Sequence, residues 1–148
     1  MKTPKSSRLE YMSLSKFKIS LLAFFIFLSC SGSDKASKEY LVTLEELGWT
    51  NDNMDSLFVL FTSVNQCFPC NKEIQEWNSK YGNSKQVLLV VNEKYTSNYE
   101  NYLSANSIDM NSIQDKKGLF RRKELIPFLP YKIMIHENGV KDLGELGK

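Results

Sequence analysis

Three apolar runs in the second part of the chain predict β-strands, and a hairpin signal predicts a fourth strand. Leu57–Thr62 and Gln86–Asn92 are almost continuously apolar and rich in β-branched or aromatic side chains, which predicts buried strands. Tyr131–Ile135 is a third run. Asn138-Gly139 follows it as a hairpin signal, because a tight turn of this kind needs positive φ at both central residues. Val140–Leu143 is therefore expected to be the returning strand.

Two helices are predicted between these strands. Ile74, Trp77 and Tyr81 recur at helical spacing with polar residues between them, so they form one apolar stripe on a helix that Gly82 can terminate. The segment from Tyr95 to Ile108 has the same amphipathic character, and its aromatic side chains are expected to belong to the core. Each helix therefore has one face suited to burial.

The N-terminal region has the layout of a secretory signal. Lys16 and Lys18 precede the apolar run Ile19–Leu28, which has the length of a signal-peptide core and is too short for a membrane-spanning helix. The run closes on Cys30, and this ending is similar to a bacterial lipoprotein signal, in which the cysteine is lipidated and becomes the first mature residue. We therefore expect residues 1–29 to be a signal peptide and Cys30 to attach the protein to a lipid membrane.

Other interpretations of this region stay open. Cys30 is alternatively an apolar residue of a discarded signal, or part of a signal anchor that is never cleaved. Acylation of Cys30 would leave the other two of the three cysteines as a pair, with no odd thiol. Translation from Met12 instead of Met1 would give a more compact signal.

The segment that follows the signal is short and polar. Residues 30–39 have no apolar periodicity, which predicts a tether. Residues 40–148 suffice for one domain with one core. At the start of this domain, Tyr40–Leu44 is expected to form an early strand and Leu44–Leu47 a helical turn.

Charge gives no support for nucleic-acid binding. Residues 1–29 carry five of the 19 basic and one of the 17 acidic residues, so the rest of the chain has 14 basic against 16 acidic residues and a net charge near −2. One basic cluster stands out, Lys116-Lys117 with Arg121-Arg122-Lys123. We interpret it as a solvated helix face, with attraction of an acidic partner as the alternative.

The strongest chemical signal is Cys67-Phe68-Pro69-Cys70, which lies where the first predicted strand runs into a helix. Unpaired backbone N–H groups and the positive end of the helix dipole meet there, and both favour a thiolate. Because the thiolate is the attacking species, Cys67 at the exposed end is the expected nucleophile, and Cys70 one turn deeper is placed to resolve a mixed disulfide. Pro69 is tolerated in the first helical turn, where its missing N–H has no partner to lose.

Three other uses of a cysteine pair compete with this interpretation. A zinc site needs four ligands, and the chain offers only Cys30 and His136 as further candidates. Covalent haem attachment needs a histidine directly after the second cysteine, and residue 71 is Asn. A purely structural disulfide is possible, although so small a loop removes little entropy from the unfolded chain.

The order of features resembles the thioredoxin superfamily, in particular the exported TlpA/ResA-like thiol-disulfide oxidoreductases. A strand leads into Cys-x-x-Cys and a helix, a second apolar strand follows, and Pro130 directly precedes the run Tyr131–Ile135. The resemblance covers roughly residues 55 to 145. It implies an α/β, thioredoxin-like fold with a central mixed β-sheet flanked by helices. It also implies a redox-active disulfide between Cys67 and Cys70, with no other cofactor and no metal.

The family places a cis proline beside the dithiol, next to a residue whose backbone pairs with substrate. The resemblance therefore assigns Pro130 as the cis proline and Leu129 as the substrate contact. A trans Pro130 that merely opens the strand is the alternative. Pro127 is the competing candidate for the cis position, although Phe128 and Leu129 separate it from the strand.

The chain also departs from the family pattern. Gln66 stands where many thioredoxins have tryptophan, and Phe61 stands where they often bury an acid that handles the proton of the resolving thiol. Glu73 and Glu76 are expected to face solvent, so no proton-handling group is assigned. The C-terminal helix of the fold is apparently truncated, which leaves one sheet face to be covered by Glu39–Met54 or by a partner.

The resemblance implies a membrane-anchored thiol-disulfide oxidoreductase of the cell envelope, on the extracytoplasmic, periplasmic side of a membrane. Phe68-Pro69 lacks the histidine of strongly oxidising relatives, which favours a disulfide reductase. Its expected partners are client proteins with thiols or disulfides and a membrane thiol electron donor, with no nucleic acid. His136 is expected to face water without a catalytic role. The alternative is a non-enzymatic, thioredoxin-like peptide-binding protein or envelope-complex subunit.

Overall fold

Strands and helices alternate along the part of the chain that the computed structural model describes, which is residues 32–50, 55–82 and 84–148. In chain order the elements are α1 (Gly32–Glu46), β1 (Ser56–Ser63), α2 (Phe68–Tyr81), β2 (Val87–Asn92), α3 (Thr96–Ala105), β3 (Ser112–Gln114), α4 (Leu119–Arg122), β4 (Tyr131–His136) and β5 (Gly139–Glu145). The expected signal peptide over residues 1–29, the start at Met12 and the lipidation site Cys30 lie outside the described residues. Within the described ranges, no helix has both the length and the apolar character needed to cross a bilayer.

The five strands form one mixed sheet in the order β3-β2-β1-β4-β5. β1, β2 and β3 are parallel, whereas β4 is antiparallel to β1 and β5 is antiparallel to β4. Ser63 pairs with Asn92, and Phe61 pairs with Tyr131. The C-terminal ends of β1 and β2 and the N-terminal end of β4 therefore meet at one end of the sheet, which we call the Ser63 end.

Helices cover both faces of this sheet. On one face, Leu44 of α1 and Phe120 of α4 join a buried cluster that includes Phe61. On the other face, Ile74 of α2 and Tyr102 of α3 join a second buried cluster. Successive strand residues point to opposite faces, so β1 contributes to both clusters. The predicted α/β, thioredoxin-like fold with a central mixed sheet flanked by helices is confirmed.

The apolar patterns located the main elements well. The observed β1, β2 and β4 agree with the predicted runs to within one residue at each end. α2 contains the predicted stripe and ends just before Gly82, where a Cβ atom would lie 2.8 Å from the Asn78 carbonyl oxygen. α3 stops at Ala105 instead of Ile108, because Ser107 has a positive φ that helical geometry excludes.

The segment before β1 is mostly helix α1. Gly32 to Glu39, expected to be a polar tether, belong to this helix. Tyr40–Leu44 continues it, so the predicted early strand is wrong, whereas the predicted helical turn over Leu44–Leu47 is confirmed. Ser37 was overlooked because it is polar, yet it is small and buried and lies one turn before Tyr40 on the same helix face. Tyr40 and Leu44 then pack into the first cluster, so α1 covers the sheet face that was expected to need a cover.

The β4–β5 hairpin is confirmed, but its turn differs from the prediction. His136 pairs with Gly139, so the two central residues of the turn are Glu137 and Asn138. Neither of them has a positive φ, and Gly139 with φ 144° begins β5. The Asn138 N–H donates to His136 Nδ1 at 3.2 Å. Asn-Gly therefore marked the hairpin correctly, although the register lies one residue earlier than the motif suggested.

Candidate active site at the N-terminus of helix α2

The dithiol lies at the junction between β1 and α2. Cys67 is the N-cap of α2 with extended backbone angles, and Pro69 lies in the first turn. The N–H groups of Cys70 and Asn71 donate to the Cys67 carbonyl oxygen at 3.1 and 3.2 Å, which closes this turn. Cys67 and Cys70 form a disulfide with an S–S distance of 2.06 Å and a Cα–Cα distance of 5.4 Å. The two sulfur atoms thus lie at the positive end of the helix dipole.

The two cysteines differ sharply in exposure. Cys67 is exposed, and Phe68 beside it is 83% exposed. Cys70 is only 2% exposed and belongs to the cluster that contains Ile74. An incoming sulfur atom therefore reaches Cys67 more readily than Cys70. This asymmetry agrees with Cys67 as nucleophile and Cys70 as resolving cysteine, and both roles remain predictions.

Leu129 and Pro130 lie at the same end of the sheet as the dithiol. The peptide bond between them is cis, and Pro130 is buried while Leu129 is half-buried. Tyr131 follows directly and pairs with Phe61, which places this peptide at the Ser63 end from which β1 continues toward Cys67. The Ile126–Pro127 bond is not cis, so the structure separates the two candidate prolines. Substrate binding by Leu129 and Pro130 remains a prediction.

Glu73 does not face solvent, and this prediction is wrong. Its carboxylate accepts hydrogen bonds from the Lys132 ammonium at 2.5 Å, from the Gly147 N–H at 2.6 Å and from the Trp77 indole N–H at 3.4 Å. The Glu73 and Lys132 side chains are only 18% and 15% exposed. Glu76, by contrast, is exposed as expected. Glu73 therefore links the active-site helix to β4 and to the segment after β5.

The environment of Glu73 favours its charged form. Partial burial by itself would raise the pKa of Glu73. The hydrogen bonds from the Gly147 N–H and from Lys132, the Lys132 charge and the bond from Trp77 outweigh this burial and hold the pKa below its ordinary value. A carboxylate is therefore present one helical turn after Cys70 at neutral pH.

Gly147 brings the C-terminal segment into contact with the dithiol. A Cβ atom at Gly147 would lie 3.1 Å from the Cys70 nitrogen, 3.2 Å from the Pro69 carbonyl carbon and 3.3 Å from Cys70 Sγ. Its φ of +87° also favours glycine. Leu146 before it is 1% exposed in the same cluster as Cys70. The backbone of Gly147 therefore covers the buried cysteine closely.

Sequence reasoning missed this group of contacts. Glu73 lies three residues after Cys70, a helical spacing that places both side chains on neighbouring positions of one helix face, so half of the signal was available. Lys132 is 59 residues and Gly147 is 74 residues away from Glu73 along the chain, and no local sequence pattern predicts either contact.

His136 lies too far along β4 to join the dithiol. It pairs with Ser56 at the start of β1, whereas Tyr131 pairs with Phe61 near its end. Five residues of a strand span roughly 16 Å, so His136 is at the opposite end of the sheet. It therefore cannot complete a zinc site with the dithiol.

Comparison with protein-family models and with curated protein sequences finds no match. Solved structures do match. The C-terminal domain of a candidate thiol-disulfide oxidoreductase from Bacteroides thetaiotaomicron is 21% identical with a TM-score of 0.50, over 61% of this chain and 66% of that one. StoA from Bacillus subtilis is 21% identical with a TM-score of 0.48, over 65% of this chain and 80% of that one. A thiol-disulfide oxidoreductase from Bacteroides fragilis is 21% identical with a TM-score of 0.49, over 60% of this chain and 69% of that one.

The likeness to the domain from Bacteroides thetaiotaomicron concerns the fold. The strand order, the strand directions and the position of a Cys-x-x-Cys pair at the start of α2 make it thioredoxin-like. At these identities the solved structures establish the fold alone, and the activity has to be argued from the residues of this chain.

Proposed function

We propose that the protein is a thiol-disulfide oxidoreductase of the cell envelope, similar to the TlpA/ResA-like proteins, that reduces disulfides in client proteins. The observation that carries the proposal is the pairing of an exposed Cys67 with a buried Cys70 at the N-terminus of α2. The solved structures of similar fold include thiol-disulfide oxidoreductases, which supports a redox role.

The proposed reaction transfers two electrons by thiol-disulfide exchange. The Cys67 thiolate attacks one sulfur of the client disulfide, and a mixed disulfide forms as the other client sulfur leaves as a thiolate that takes up a proton. The Cys70 thiol loses its proton and attacks Cys67 Sγ, which releases the second client thiolate. The client is thereby reduced, and the protein is left with the Cys67–Cys70 disulfide present in the structure.

The residues between the cysteines support the proposed direction of electron flow. Phe68-Pro69 provides no hydrogen-bond donor or positive charge in a side chain to stabilise the Cys67 thiolate. Stabilisation of the thiolate makes a dithiol more oxidising, so its absence favours electron donation. A reductase must be reduced again after each cycle, and we propose a membrane thiol donor for this step.

Exposed aromatic side chains next to the dithiol suit a protein client. Phe68 lies between the two cysteines, and Phe128 is 42% exposed two residues before the cis Pro130. Phe128 packs edge-on against Tyr131 at a ring-centroid distance of 5.2 Å, which holds its ring in place. Apolar client side chains can pack on Phe68 and Phe128 while the Leu129 backbone pairs with an extended segment of the client.

Attachment to the membrane through Cys30 is a further part of the proposal, supported by the charged, apolar and cysteine-terminated order of residues 16–30. Metabolic labelling with a radioactive fatty acid tests it. The chain without substitutions should incorporate the labelled fatty acid, and Cys30→Ser should not. Label retained by Cys30→Ser would refute attachment at this residue.

The central test is the reduction potential of the Cys67–Cys70 pair, measured by equilibration with thiol buffers and trapping of free thiols. A value near that of thioredoxin, about −270 mV, supports a reductase, whereas a value near −120 mV would reverse the direction. Cys67→Ser should abolish exchange, and Cys70→Ser should accumulate covalent client complexes. If the unsubstituted protein shows no exchange, Cys67→Ser still binds client peptides and Cys70→Ser traps no client, the protein is instead a non-enzymatic peptide-binding subunit.

A further inference from the structure

A basic pocket lies at the Ser63 end of the sheet, outside the dithiol. It has a volume of about 540 Å³ and is lined by five cationic side chains, Lys94, Lys116, Lys117, Arg121 and Arg122. These are five of the 14 basic residues after residue 29, in a part of the chain whose net charge is mildly negative. The positive charge is therefore concentrated in one place.

Two loops build this pocket, and contacts hold them together. Gln114 at the end of β3 donates from its side-chain amide to the Glu93 carbonyl oxygen at 2.7 Å. Gly118 has a φ of +62°, and a Cβ atom there would lie 3.4 Å from the Asn92 side chain. The loops after β2 and after β3 are therefore fixed to each other. Lys94 comes from the first loop, and the other four cations come from the second loop and from α4.

The acidic groups close to this pocket already serve other donors. Glu93 lines it, but its Oε1 accepts hydrogen bonds from the Tyr95 N–H at 2.9 Å and from Asn98 at 3.3 Å. Asp115 is 2% exposed and accepts from the Leu119 and Phe120 N–H groups at the start of α4. Both carboxylates are held in place by these hydrogen bonds, and the five cations of the pocket outnumber the two acidic groups.

Four of the pocket cations lie in α4 or in the loop just before it. Within the described ranges, they make no ion pair with the protein: Lys116, Lys117, Arg121 and Arg122. Lys123, the neighbour of Arg122, behaves differently and pairs with Glu46 at 2.7 Å. The basic cluster thus divides into one cation that holds α4 to α1 and several that remain available to an external anion. This division goes beyond the solvated face that the sequence suggested.

The pocket and the dithiol lie at the same end of the sheet. Asn92 pairs with Ser63, from which β1 continues toward Cys67, and Gln114 pairs with Val91. Neighbouring strands are about 4.8 Å apart, so the pocket begins one to two strands from the site of exchange. A polypeptide bound by the cis Pro130 region at the Ser63 end can therefore extend toward these cations.

We propose that this pocket binds an acidic segment of the client polypeptide, rich in Asp and Glu, and so selects among clients. The proposal rests on the thiol-disulfide exchange proposed above. Open, charged pockets of this kind attract oppositely charged partners at a distance and fix their orientation. Acidic clients should therefore react faster at low salt, and the advantage should shrink as salt screens the charges.

The test uses two peptides with the same intramolecular disulfide, one flanked by four Asp or Glu residues and the other by the matching Asn and Gln residues. The rate constant of reduction is measured for each with the reduced protein at low and at high salt. We expect the acidic peptide to react about fivefold to tenfold faster at low ionic strength and within twofold at 0.5 M salt. Lys117→Gln/Arg121→Gln should remove most of the preference and leave the neutral peptide unaffected.

The matched control removes two exposed cations elsewhere. Lys38→Gln/Lys141→Gln changes the net charge by the same amount at positions on α1 and β5, outside the pocket. It should keep the preference for the acidic peptide. Equal loss of preference in both double variants would show that overall charge is responsible and would overturn the assignment to this pocket.

Binding without exchange separates the two proposals. A disulfide-free acidic peptide, with serine for cysteine, is titrated into the Cys67→Ser/Cys70→Ser variant and followed by fluorescence anisotropy. If neither peptide is reduced but the acidic one binds through Lys117 and Arg121, the proposed function fails and the pocket assignment stands. If both peptides are reduced equally and bind equally, the pocket assignment fails. Vesicles with anionic lipid that bind through these residues, without a peptide preference, would also overturn it in favour of a membrane surface.

Discussion

Substitution of Gly147 by alanine tests how closely the C-terminal segment packs on the dithiol. The new Cβ atom would lie 3.1 Å from the Cys70 nitrogen and 3.3 Å from Cys70 Sγ, and both atoms belong to a buried part of the first helical turn. Neither atom can move freely, because the Cys70 N–H donates a hydrogen bond to the Cys67 carbonyl oxygen and Cys70 Sγ is held in the disulfide. The methyl group must therefore displace the backbone of Gly147 or of the helix.

Gly144 provides the matched control for this variant. It has the same φ of +87°, but a Cβ atom there meets no heavy atom within 4 Å. Alanine at either position pays the cost of a left-handed conformation, about 1–2 kcal/mol. Only Gly147→Ala adds the crowding of a packed site, which costs roughly 1–3 kcal/mol. We expect a loss of about 1–2 kcal/mol for Gly144→Ala and about 2–5 kcal/mol for Gly147→Ala.

The assay is urea unfolding of the oxidised protein, followed by tryptophan fluorescence and by circular dichroism. Coincident transitions and an unchanged slope would show that the free energies of unfolding are comparable. The difference between the two variants isolates the contact with Cys70, because the conformational term is common to both. Equal free energies of unfolding, within about 0.5 kcal/mol, would refute the close approach of Gly147 to the dithiol.

Three further predictions concern contacts that support the site. Glu73→Gln leaves the Lys132 charge without its partner and should lower the free energy of unfolding by about 2 kcal/mol. Because the pKa of Glu73 is held below its ordinary value, its stabilising contribution is present above that value and is lost as pH falls below it. Unfolding measured against pH should therefore be less acid-sensitive in Glu73→Gln, and an unchanged acid slope would contradict this. Burial, with the hydrogen bond to Asp142, raises the pKa of Tyr131 to about 12, so its contribution is full below pH 10 and is lost as pH rises toward 12. Tyr131→Phe should flatten this alkaline loss, as measured by urea unfolding between pH 9 and pH 12, and an identical slope would count against the assignment. Leu44→Ala in α1 removes a side chain with 0% exposure and should cost about 2–5 kcal/mol, whereas a loss below about 0.5 kcal/mol would mean that α1 does not pack on the sheet.

Local patterns predicted much of the fold because they report burial directly. The continuous apolar runs that became β1 and β2 have covered faces on both sides, and each of their ends was right to within one residue. The dithiol was also visible from the sequence, because Cys-x-x-Cys between a strand and a helical stripe is a local arrangement. The hairpin after β4 was visible for the same reason, although its turn formed at Glu137 and Asn138.

The sequence by itself thus determined the positions of β1, β2, β4 and β5, the dithiol at the start of α2 and the candidate proline at position 130. Tertiary structure decided which distant groups meet. α1 became a helix because the exposed sheet face offered Tyr40 and Leu44 a place to be buried, and this overrode the polar composition before them. The Glu73–Lys132 pair exists because α2 packs across a strand that begins 58 residues after Glu73 along the chain. Such contacts depend on the order of strands in the sheet, which no local periodicity encodes.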